Sequence, residues 1–579
     1  MIHVRLRPML AAAALCCVSS HAFAQAPPAP VVSYFSRNQP VVAKNGMIAS
    51  QEQAASRVGI DVMKRGGNAV DAAVAVALTL AVTLPKAGNI GGGGFMIVHL
   101  AKGDQNIAID YREMAPADTP KDIFLNEKGD FEPKKSQASG LGVGVPGTVA
   151  GLALAHARYG SGRFTLAQLI APAVAMAREG ISVDDDLADS LPPAAKVLGR
   201  YESSKKIFMR ADGAVLRTGD RLTQKDLADT LEAIGRDGPK AFYEGPVAEK
   251  IAAAVRADGG RMTAADMAAY KAYERPVVSG TYRGHKVISM PPPSSGGVHV
   301  IEILNILEGF PIGETGQNSA QTIHLMAEAM KLAYADRSEY LGDPDFVKVP
   351  VKGLTSKKYA DELRALINPD RARPAKEIKP GAPVPHESDN TTHFSVVDGE
   401  GNAVSNTYTL NDLYGVGLVA EGTGVLLNNE LDDFAAKPGV ANLYGLVGGD
   451  ANAPGPRKRP LSSMTPTMVF KDGELELVTG SPGGPRIITT VLQIILDVID
   501  HGMNDAEATQ AVRVHHQWLP DELRIERGLS IDTIRLLEAK GHKVVVKEAM
   551  GSTNTIQRVN GLLLGAADGR QRGTLAVGF

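Results

Sequence analysis

A proline-rich segment at residues 369–390 divides this chain into two parts with different local patterns. It carries five prolines and many charged residues, and proline interrupts helices and central strands because it lacks a backbone N–H. Before it, the ranges 148–180, 220–270 and 318–368 show mainly helical spacing of apolar residues. After it, apolar and polar residues alternate, which is typical of strands. The segment therefore predicts a linker between a helix-rich part and a strand-rich part.

Two β-hairpins are predicted after this linker. The first pairs residues 392–397 with 403–410, and the second pairs 465–470 with 475–479. Each hairpin consists of two alternating runs around a short turn that contains glycine, which is a strong local hairpin signal.

A pair of threonines is predicted at the open end of the first hairpin. If its turn centres on Glu400, residues whose numbers sum to 800 face each other, so Thr391 faces Thr409. Directly opposed Cβ atoms lie about 4.5–5.5 Å apart, close enough for two hydroxyls to interact. Paired threonines are also ordinary strand surface, and the spacing alone does not decide between these interpretations.

The segment 480–485, Gly-Ser-Pro-Gly-Gly-Pro, follows the second hairpin and precedes a helix predicted at 486–499. Pro485 suits the first turn of that helix, where a missing N–H costs nothing. The N–H groups of Gly483 and Gly484 would then lie at the positive end of the helix and could hold a tetrahedral oxyanion. A plain tight turn between a strand and a helix is the alternative.

The part before the linker begins with helices and a glycine turn. Residues 50–66 show a helical pattern, and the almost wholly apolar run 69–84 predicts a buried helix. Four consecutive glycines at 91–94 mark a turn where backbones can approach closely. The alternating runs 95–100 and 106–111 then predict paired strands.

The N-terminus predicts a secretory signal peptide at residues 1–24. Arg5 and Arg7 precede a short apolar run, and Ala22-Phe23-Ala24 fits a cleavage site. We therefore expect a secreted protein, periplasmic if the host is Gram-negative. Removal of this segment would raise the net charge from −3 to −5, because it takes away two arginines and no acids.

Several classes of partner are excluded by composition. The chain has no basic run, which argues against nucleic acid. No apolar run after the signal reaches about 18 residues, so no stable membrane span is expected. Both cysteines, Cys16 and Cys17, lie in the signal peptide, and the adjacent His515 and His516 would point to different faces. We predict no metal and no cofactor.

A dense set of acids and amides occurs at residues 427–434, Leu-Asn-Asn-Glu-Leu-Asp-Asp-Phe. Such a set could bind a cation or the ammonium group of a ligand, or form a solvated turn.

An ordered set of motifs in both parts resembles the γ-glutamyltranspeptidase family. The resemblance covers nearly the whole predicted mature chain, and the set is far more specific than any of its members. The motifs are 88–95 (GNIGGGGF), 111–116 (YREMAP), 144–147 (GVPG), 391–395 (TTHFS), 407–411 (TYTLN), 426–434 (LLNNELDDF), 458–464 (KRPLSSM) and 480–484 (GSPGG).

The resemblance implies an α/β (α+β) fold, a four-layer αββα sandwich of the N-terminal-nucleophile type, with stacked antiparallel sheets flanked by helices. It implies a proenzyme that cuts itself between Asn390 and Thr391. The two pieces, a large subunit at 25–390 and a small catalytic subunit at 391–579, would stay together as a heterodimer.

The resemblance also implies the catalytic roles. Thr391 is the nucleophile, and its freed α-amine, with a pKa near 8, is the base. Thr409 orients Thr391, and Gly483 and Gly484 hold the oxyanion. A small-molecule γ-glutamyl donor, with glutathione as the family expectation, acylates Thr391, and water or an amino acid or peptide acceptor takes the acyl group.

Six residues are expected to recognise the donor by the same resemblance. Arg112, Ser462 and Ser463 would bind its α-carboxylate. Asn411, Glu430 and Asp433 would bind its α-ammonium. The segment 436–450 resembles a lid loop over the donor site.

Two other functions stay open. One is an acylase of the same superfamily that removes glutaryl groups from a β-lactam nucleus; its donor has no α-ammonium, so the amide and acids at 411, 430 and 433 count against it. The other is a non-catalytic γ-glutamyl-binding protein on the same fold. Intact Thr391, Thr409 and the Gly483–Gly484 pair count against that function.

Overall fold

The computed structural model describes residue 33, residues 35–381 and residues 392–579. The predicted signal peptide and the predicted cleavage site at Asn390–Thr391 lie outside the described residues, as does the second half of the predicted linker.

The described residues contain strands that are short, mostly antiparallel and distributed along the whole chain. The strands are β1 (Val41–Ala43), β2 (Gly46–Ser50), β3 (Gly93–Leu100), β4 (Gln105–Tyr111), β5 (Ile181–Ser182), β6 (Arg221–Leu222), β7 (Tyr273–Pro276), β8 (Val278–Tyr282), β9 (His285–Ser289), β10 (Thr392–Asp398), β11 (Ala403–Thr409), β12 (Val419–Ala420), β13 (Val425–Leu426), β14 (Thr467–Lys471), β15 (Glu474–Thr479), β16 (Val514–His515), β17 (Leu523–Ile525), β18 (Val544–Val546), β19 (Asn554–Val559), β20 (Leu562–Ala567) and β21 (Leu575–Gly578).

Helices fill most of the chain between these strands. They are α1 (Gln53–Lys64), α2 (Ala69–Thr83), α3 (Pro133–Gln137), α4 (Thr148–Tyr159), α5 (Leu166–Glu179), α6 (Asp185–Leu198), α7 (Glu202–Phe208), α8 (Lys225–Asp237), α9 (Lys240–Tyr243), α10 (Pro246–Ala257), α11 (Ala264–Ala269), α12 (Gly296–Leu307), α13 (Ile312–Thr315), α14 (Ala320–Tyr340), α15 (Val351–Leu354), α16 (Lys357–Arg364), α17 (Pro485–Ile499), α18 (Asp505–Gln510) and α19 (Ile531–Ala539).

Two seven-stranded sheets form the centre of the molecule. The first has the order β1-β20-β19-β15-β14-β9-β8, and the second has the order β21-β2-β10-β11-β3-β4-β7. The strand pairs within both sheets are antiparallel. The sheets stack face to face, with β10 and β2 against β19 and β20.

Alternating residues along the strands build two separate apolar layers. In β3, Met96 and Val98 pack with α1 and α2, whereas Phe95 and Ile97 belong to the core that includes the other sheet. The outer face of the first sheet is covered by α12, α14 and α17. The layer order is therefore helix, sheet, sheet, helix, which confirms the predicted αββα sandwich.

The register of the first predicted hairpin is confirmed. Thr392 pairs with Tyr408, and Val397 pairs with Ala403, so paired numbers sum to 800 throughout the described pairs. In the second hairpin, β14 and β15 pair with a bulge between Val469 and Phe470.

The buried helix predicted at 69–84 is α2, in which every residue is buried. Asn68 accepts hydrogen bonds from the N–H groups of the first turn, and Asp71 returns one to the backbone of Asn68, so a capping box begins the helix. Within the described ranges, no helix combines the length and apolar character that a bilayer crossing requires.

The first half of the predicted linker is packed against the molecule. Ala375 and Ile378 are buried, and the Trp518 indole Nε1 donates to the Ala375 carbonyl at 2.9 Å. The backbone N–H of Ala372 also donates to the carbonyl of Lys540 at 2.7 Å. Residues 369–381 therefore run along the C-terminal part of the chain rather than into solvent.

Gly59 marks the closest approach between the outer helices and the second sheet. A Cβ at this α1 position would overlap the Ile48 and Val76 side chains. We expect Gly59→Ala to lower the free energy of unfolding by about 1–3 kcal/mol through overpacking, despite the better helix propensity of alanine.

The measurement is the thermal unfolding midpoint of the purified protein. Gly353→Ala in α15 is the matched control, because the nearest atom to its added Cβ is 3.9 Å away. Equal midpoints for the two variants would contradict the close packing at Gly59.

Candidate active site

Four strand ends meet at one end of the second sheet because neighbouring strands are antiparallel. Thr392 begins β10 opposite Tyr408, and Thr409 ends β11 opposite Gly93, which begins β3. Gly94 in turn pairs with Tyr111 at the end of β4. The start of β10, Thr409 and Arg112 therefore share one end of the sheet. Thr391 itself lies outside the described residues.

The four-glycine turn at 91–94 lets this end close tightly. A Cβ at Gly92 would overlap the carbonyl oxygen of Thr409. That oxygen accepts a hydrogen bond from Asn89 Nδ2 at 2.8 Å, and the Thr409 hydroxyl accepts from the backbone N–H of Asn411 at 2.8 Å. Thr409 is therefore held on both its carbonyl and its hydroxyl.

Asn411 follows β11 in a left-handed conformation, with φ of 75°, and joins the acid-rich segment. Its Nδ2 donates to the carbonyl of Asn429 at 3.0 Å. Asn428 holds this segment in place, because its side chain bonds Gly91, Gly144 and the N–H of Glu430. The predicted residues Asn411 and Glu430 are thus brought together by Asn428, to which the sequence analysis gave no role.

Arg112 lies at the centre of a fully buried charged cluster. Its guanidinium contacts the carboxylates of Glu430 and Asp433 directly, and Glu113 Oε2 is 3.7 Å from Nη1. One cation therefore faces three carboxylates. The structure brings the predicted carboxylate-binding and ammonium-binding residues into direct contact, so a ligand would exchange partners with them.

The excess of negative charge in this cluster shifts the acid groups. Burial raises the pKa of Glu113 well above its usual value, and the neighbouring Glu430 adds to the shift. Burial likewise raises the pKa of Asp433 well above normal, and it raises the pKa of Glu430. A further positive charge would favour the ionised forms of all three.

Several acceptors in the cluster have no hydrogen-bond donor among the described residues. They are both carboxylate oxygens of Glu113, Oε2 of Glu430, Oδ1 of Asp433 and the amide oxygen of Asn411. Unpaired buried acceptors are costly. A primary ammonium group has three N–H donors and a positive charge, so it matches what this cluster lacks.

The segment 460–463 connects the cluster to the two predicted serines. Arg112 donates to the carbonyls of Pro460 and Leu461, at 3.0 Å and 3.2 Å. Ser462 Oγ accepts from the N–H of Met464 at 3.1 Å. The hydroxyl oxygen of Ser463 accepts from the guanidinium of Arg337, a residue that the sequence analysis did not single out.

The turn at 480–485 has the predicted form. Gly483 and Gly484 have φ of 124° and 68°, and Pro485 begins α17 after Gly484. Among the described residues, neither glycine N–H has a hydrogen-bond acceptor. The turn contacts β10, because a Cβ at Gly480 would overlap the ring of His393. The candidate oxyanion donors therefore adjoin the strand that follows Thr391.

The segment 436–450 folds over a cavity that Asp433 helps to line. Asp432 accepts a hydrogen bond from the N–H of Leu443 at 3.3 Å, and the Tyr444 carbonyl accepts from Gln517 at 3.4 Å. This segment thus lies beside the charged cluster, where a lid was expected.

One group of three metal-ligating side chains occurs within the described ranges. His324, Glu328 and His542 lie close together and are buried. Lys331 is ion-paired with Glu328 at 2.5 Å and supplies the opposite charge there. The adjacent His515 and His516 are not in this group.

Comparisons with known proteins agree over the whole chain. A family model described as gamma-glutamyltranspeptidase matches residues 55–578. The chain is 56% identical to the glutathione hydrolase proenzyme of Escherichia coli (strain K12), over 98% of each protein.

Two solved structures share the fold. The cephalosporin acylase from Bacillus halodurans matches with a TM-score of 0.84 and 29% identity, over 96% of this chain and 98% of that one. The Helicobacter pylori gamma-glutamyltranspeptidase matches with a TM-score of 0.56 and 44% identity, over 60% of this chain and 97% of that chain. The resemblance seen in the motifs therefore extends to the full length and to the architecture.

The charged cluster predicts that an ammonium ligand releases protons when it binds. The pKa values of Glu113, Glu430 and Asp433 are raised in the ligand-free protein, and a bound ammonium would lower them. We expect L-glutamate to bind with proton release and with an affinity that rises with pH.

Calorimetric titration in two buffers with different ionisation enthalpies measures this release. Glutarate, which lacks the ammonium, is the matched ligand and should release fewer protons. Proton uptake on glutamate binding, or identical behaviour of the two ligands, would contradict this interpretation of the cluster.

Proposed function

The chain belongs to the γ-glutamyltranspeptidase family, and we propose that it cleaves the γ-glutamyl amide of glutathione and related donors through an acyl-enzyme on Thr391. It is an enzyme of the N-terminal-nucleophile type, made as a proenzyme. The observation that carries the proposed donor class is the buried Arg112 cluster, with three carboxylates and four carboxylate oxygens that lack donors in the described part of the chain.

Thr391 is the proposed nucleophile because of what surrounds the start of β10. Its Cα must lie about 3.8 Å from that of Thr392, at the sheet end that carries Thr409. Continuation of the register by one residue would make Thr409 its partner. His393 also packs against Gly480, which supports an oxyanion site at Gly483 and Gly484 close to the same strand end.

The proposed maturation frees the base that the reaction needs. Thr391 Oγ attacks the carbonyl carbon of Asn390, the peptide C–N bond breaks, and the nitrogen takes up the proton as the α-amine. Water then hydrolyses the resulting ester. The two products are the subunits 25–390 and 391–579, which stay together as a heterodimer, and the signal peptide at 1–24 directs the protein out of the cytoplasm.

Catalysis then repeats the same attack on the donor. The α-amine accepts the proton of Thr391 Oγ, which attacks the γ-carbonyl, and the N–H groups of Gly483 and Gly484 hold the oxyanion. The amide C–N bond breaks and the leaving amine takes the proton. Water or the amine of an acceptor attacks the ester and restores Thr391.

The ends of the γ-glutamyl group are recognised by charge. Asn411, Glu430 and Asp433 receive the α-ammonium, and Glu113 adds a third carboxylate to this side. Arg112, Ser462 and Ser463 receive the α-carboxylate. An ordinary peptide is rejected because its α-carboxylate is consumed in a peptide bond.

The similar cephalosporin acylase fold keeps a glutaryl acylase as the second candidate. A glutaryl group carries no ammonium. Three buried carboxylates beside one arginine favour a donor that brings a positive charge, so the γ-glutamyl donor is preferred. Two pieces on a denaturing gel would exclude an unprocessed binding protein.

Thr391→Ala should abolish both self-cleavage and activity, because the attacking oxygen is missing. On a denaturing gel the wild type should give two pieces, and N-terminal sequencing of the smaller piece should begin at Thr391. The variant should give one uncut chain.

Thr392→Ala is the matched control, since the Thr392 hydroxyl donates to Gln51 within the sheet. It should keep the position of the cut. A second piece that begins elsewhere, or cleavage of the Thr391→Ala chain, would remove Thr391 from its proposed role.

Asp433→Asn should lower kcat/KM for γ-glutamyl-p-nitroanilide by about 10²-fold, the effect of losing a hydrogen bond to a charged group. The loss for glutaryl-p-nitroanilide should be much smaller, because that donor has no ammonium. Asp432→Asn is the control, because this neighbouring carboxylate bonds Ser136 and the N–H of Leu443. Equal losses on both donors would contradict ammonium recognition by Asp433.

A further inference from the structure

Arg337 in α14 is a second fully buried arginine beside the proposed donor site. Its guanidinium donates through Nη2 to the hydroxyl of Ser463 and through Nε to the hydroxyl of Ser295 at 3.1 Å. It also lies over the ring of Tyr334, 5.4 Å from the ring centroid. These contacts fix the guanidinium plane with respect to the serine segment.

Ser295 ties this arrangement to the same segment by its backbone and its side chain. Its N–H and its hydroxyl both donate to the carbonyl of Ser462, at 2.7 Å and 2.8 Å. The segment 460–463 is therefore held from one side by Arg112 and from the other by Arg337.

The bond from Arg337 determines what the Ser463 hydroxyl can do. A serine hydroxyl has one proton to donate and an oxygen that accepts. Because the oxygen of Ser463 accepts from a guanidinium, its proton is directed to another acceptor, and the charged donor polarises the O–H bond. Ser463 is thereby prepared to donate to an anion.

Arg112 alone is a poor carboxylate receptor in this setting. Its charge is already matched by Glu430 and Asp433, so a ligand carboxylate would compete with two buried acids for it. A second guanidinium next to Ser463 makes the serine side of the site more positive than the acid side.

We propose that Arg337 is a positioning residue for recognition of the donor's α-carboxylate. It orients Ser463 to donate to that carboxylate, and it contributes the positive charge that Arg112 shares with the acids. This inference rests on the proposed function. The ammonium is selected on the acid side of the site and the carboxylate on the Arg337 side.

Three p-nitroanilide donors separate these effects. The γ-glutamyl donor has both charged groups, the 4-aminobutyryl donor lacks the α-carboxylate, and the glutaryl donor lacks the α-ammonium. The readout is kcat/KM for each donor, expressed as a ratio within one preparation of the processed enzyme. Unprocessed or unfolded protein cancels from such a ratio.

Arg337→Gln should lower kcat/KM for the γ-glutamyl and glutaryl donors by about 10-fold to 100-fold relative to the 4-aminobutyryl donor, as expected for a lost charged hydrogen bond. Most of the loss should fall on KM. Arg337→Lys should recover part of it, because lysine keeps the charge but cannot bond both serines with one planar group.

Ser295→Ala provides a milder variant that keeps the guanidinium and removes one of its acceptors. The same ratio should change in the same direction by a few-fold. Glu302→Gln, an isosteric change at a fully buried position of α12, is the control and should leave the ratio unchanged.

Equal losses on all three donors would overturn the proposal, because they would mean that Arg337 only supports the fold. If Arg337→Gln is insoluble, an unchanged ratio in Ser295→Ala overturns it as well. Failure of the proposed function would look different: the wild-type enzyme itself would then not prefer the γ-glutamyl donor over the other two.

Discussion

The site depends on the antiparallel register of the second sheet, in which β10 lies between β2 and β11 and β11 lies next to β3. A slip of one residue in any of these strands would turn its side chains to the opposite apolar layer. The register is also held by glycine, because a Cβ at Gly94 would overlap the backbone of Thr407 and Tyr408. Tight backbone contact at this sheet end thus fixes Thr409 and Arg112 before any ligand binds.

The buried charges impose a second constraint, which opposes stability. An ion pair removed from water gains little net stability, and an unmatched buried carboxylate costs several kcal/mol (about 3–5) when its partner is lost. The protein keeps Glu113, Glu430 and Asp433 around Arg112 despite this cost, and their raised pKa values express it. A zwitterionic ligand relieves both problems at once, since its ammonium matches the acids and its carboxylate meets the serine side. Selectivity for the ligand therefore comes from the ligand-free strain of the cluster.

Local pattern predicted the elements whose signals are contained in one stretch of sequence, such as the 392–410 hairpin, α2 and the start of α17 at Pro485. It missed β7, β8 and β9, and also β19, β20 and β21, which are short strands with weak alternation. The motifs identified the region of the site but not Glu113, Asn428 or Arg337 as its members. Ser463 and Arg337 are separated by 126 residues, and no periodicity in a single sequence connects residues so far apart.

Topology explains why a cut in the chain would not separate its pieces. The first sheet combines β1, β8 and β9 from before the proposed cleavage point with β14, β15, β19 and β20 from after it. The second combines β2, β3, β4 and β7 with β10, β11 and β21. Separation would break strand pairs in both sheets, including those that β10 makes with β2. A new chain end can therefore be created beside the site while the scaffold that positions it stays intact, which is what a nucleophile that uses its own α-amine requires.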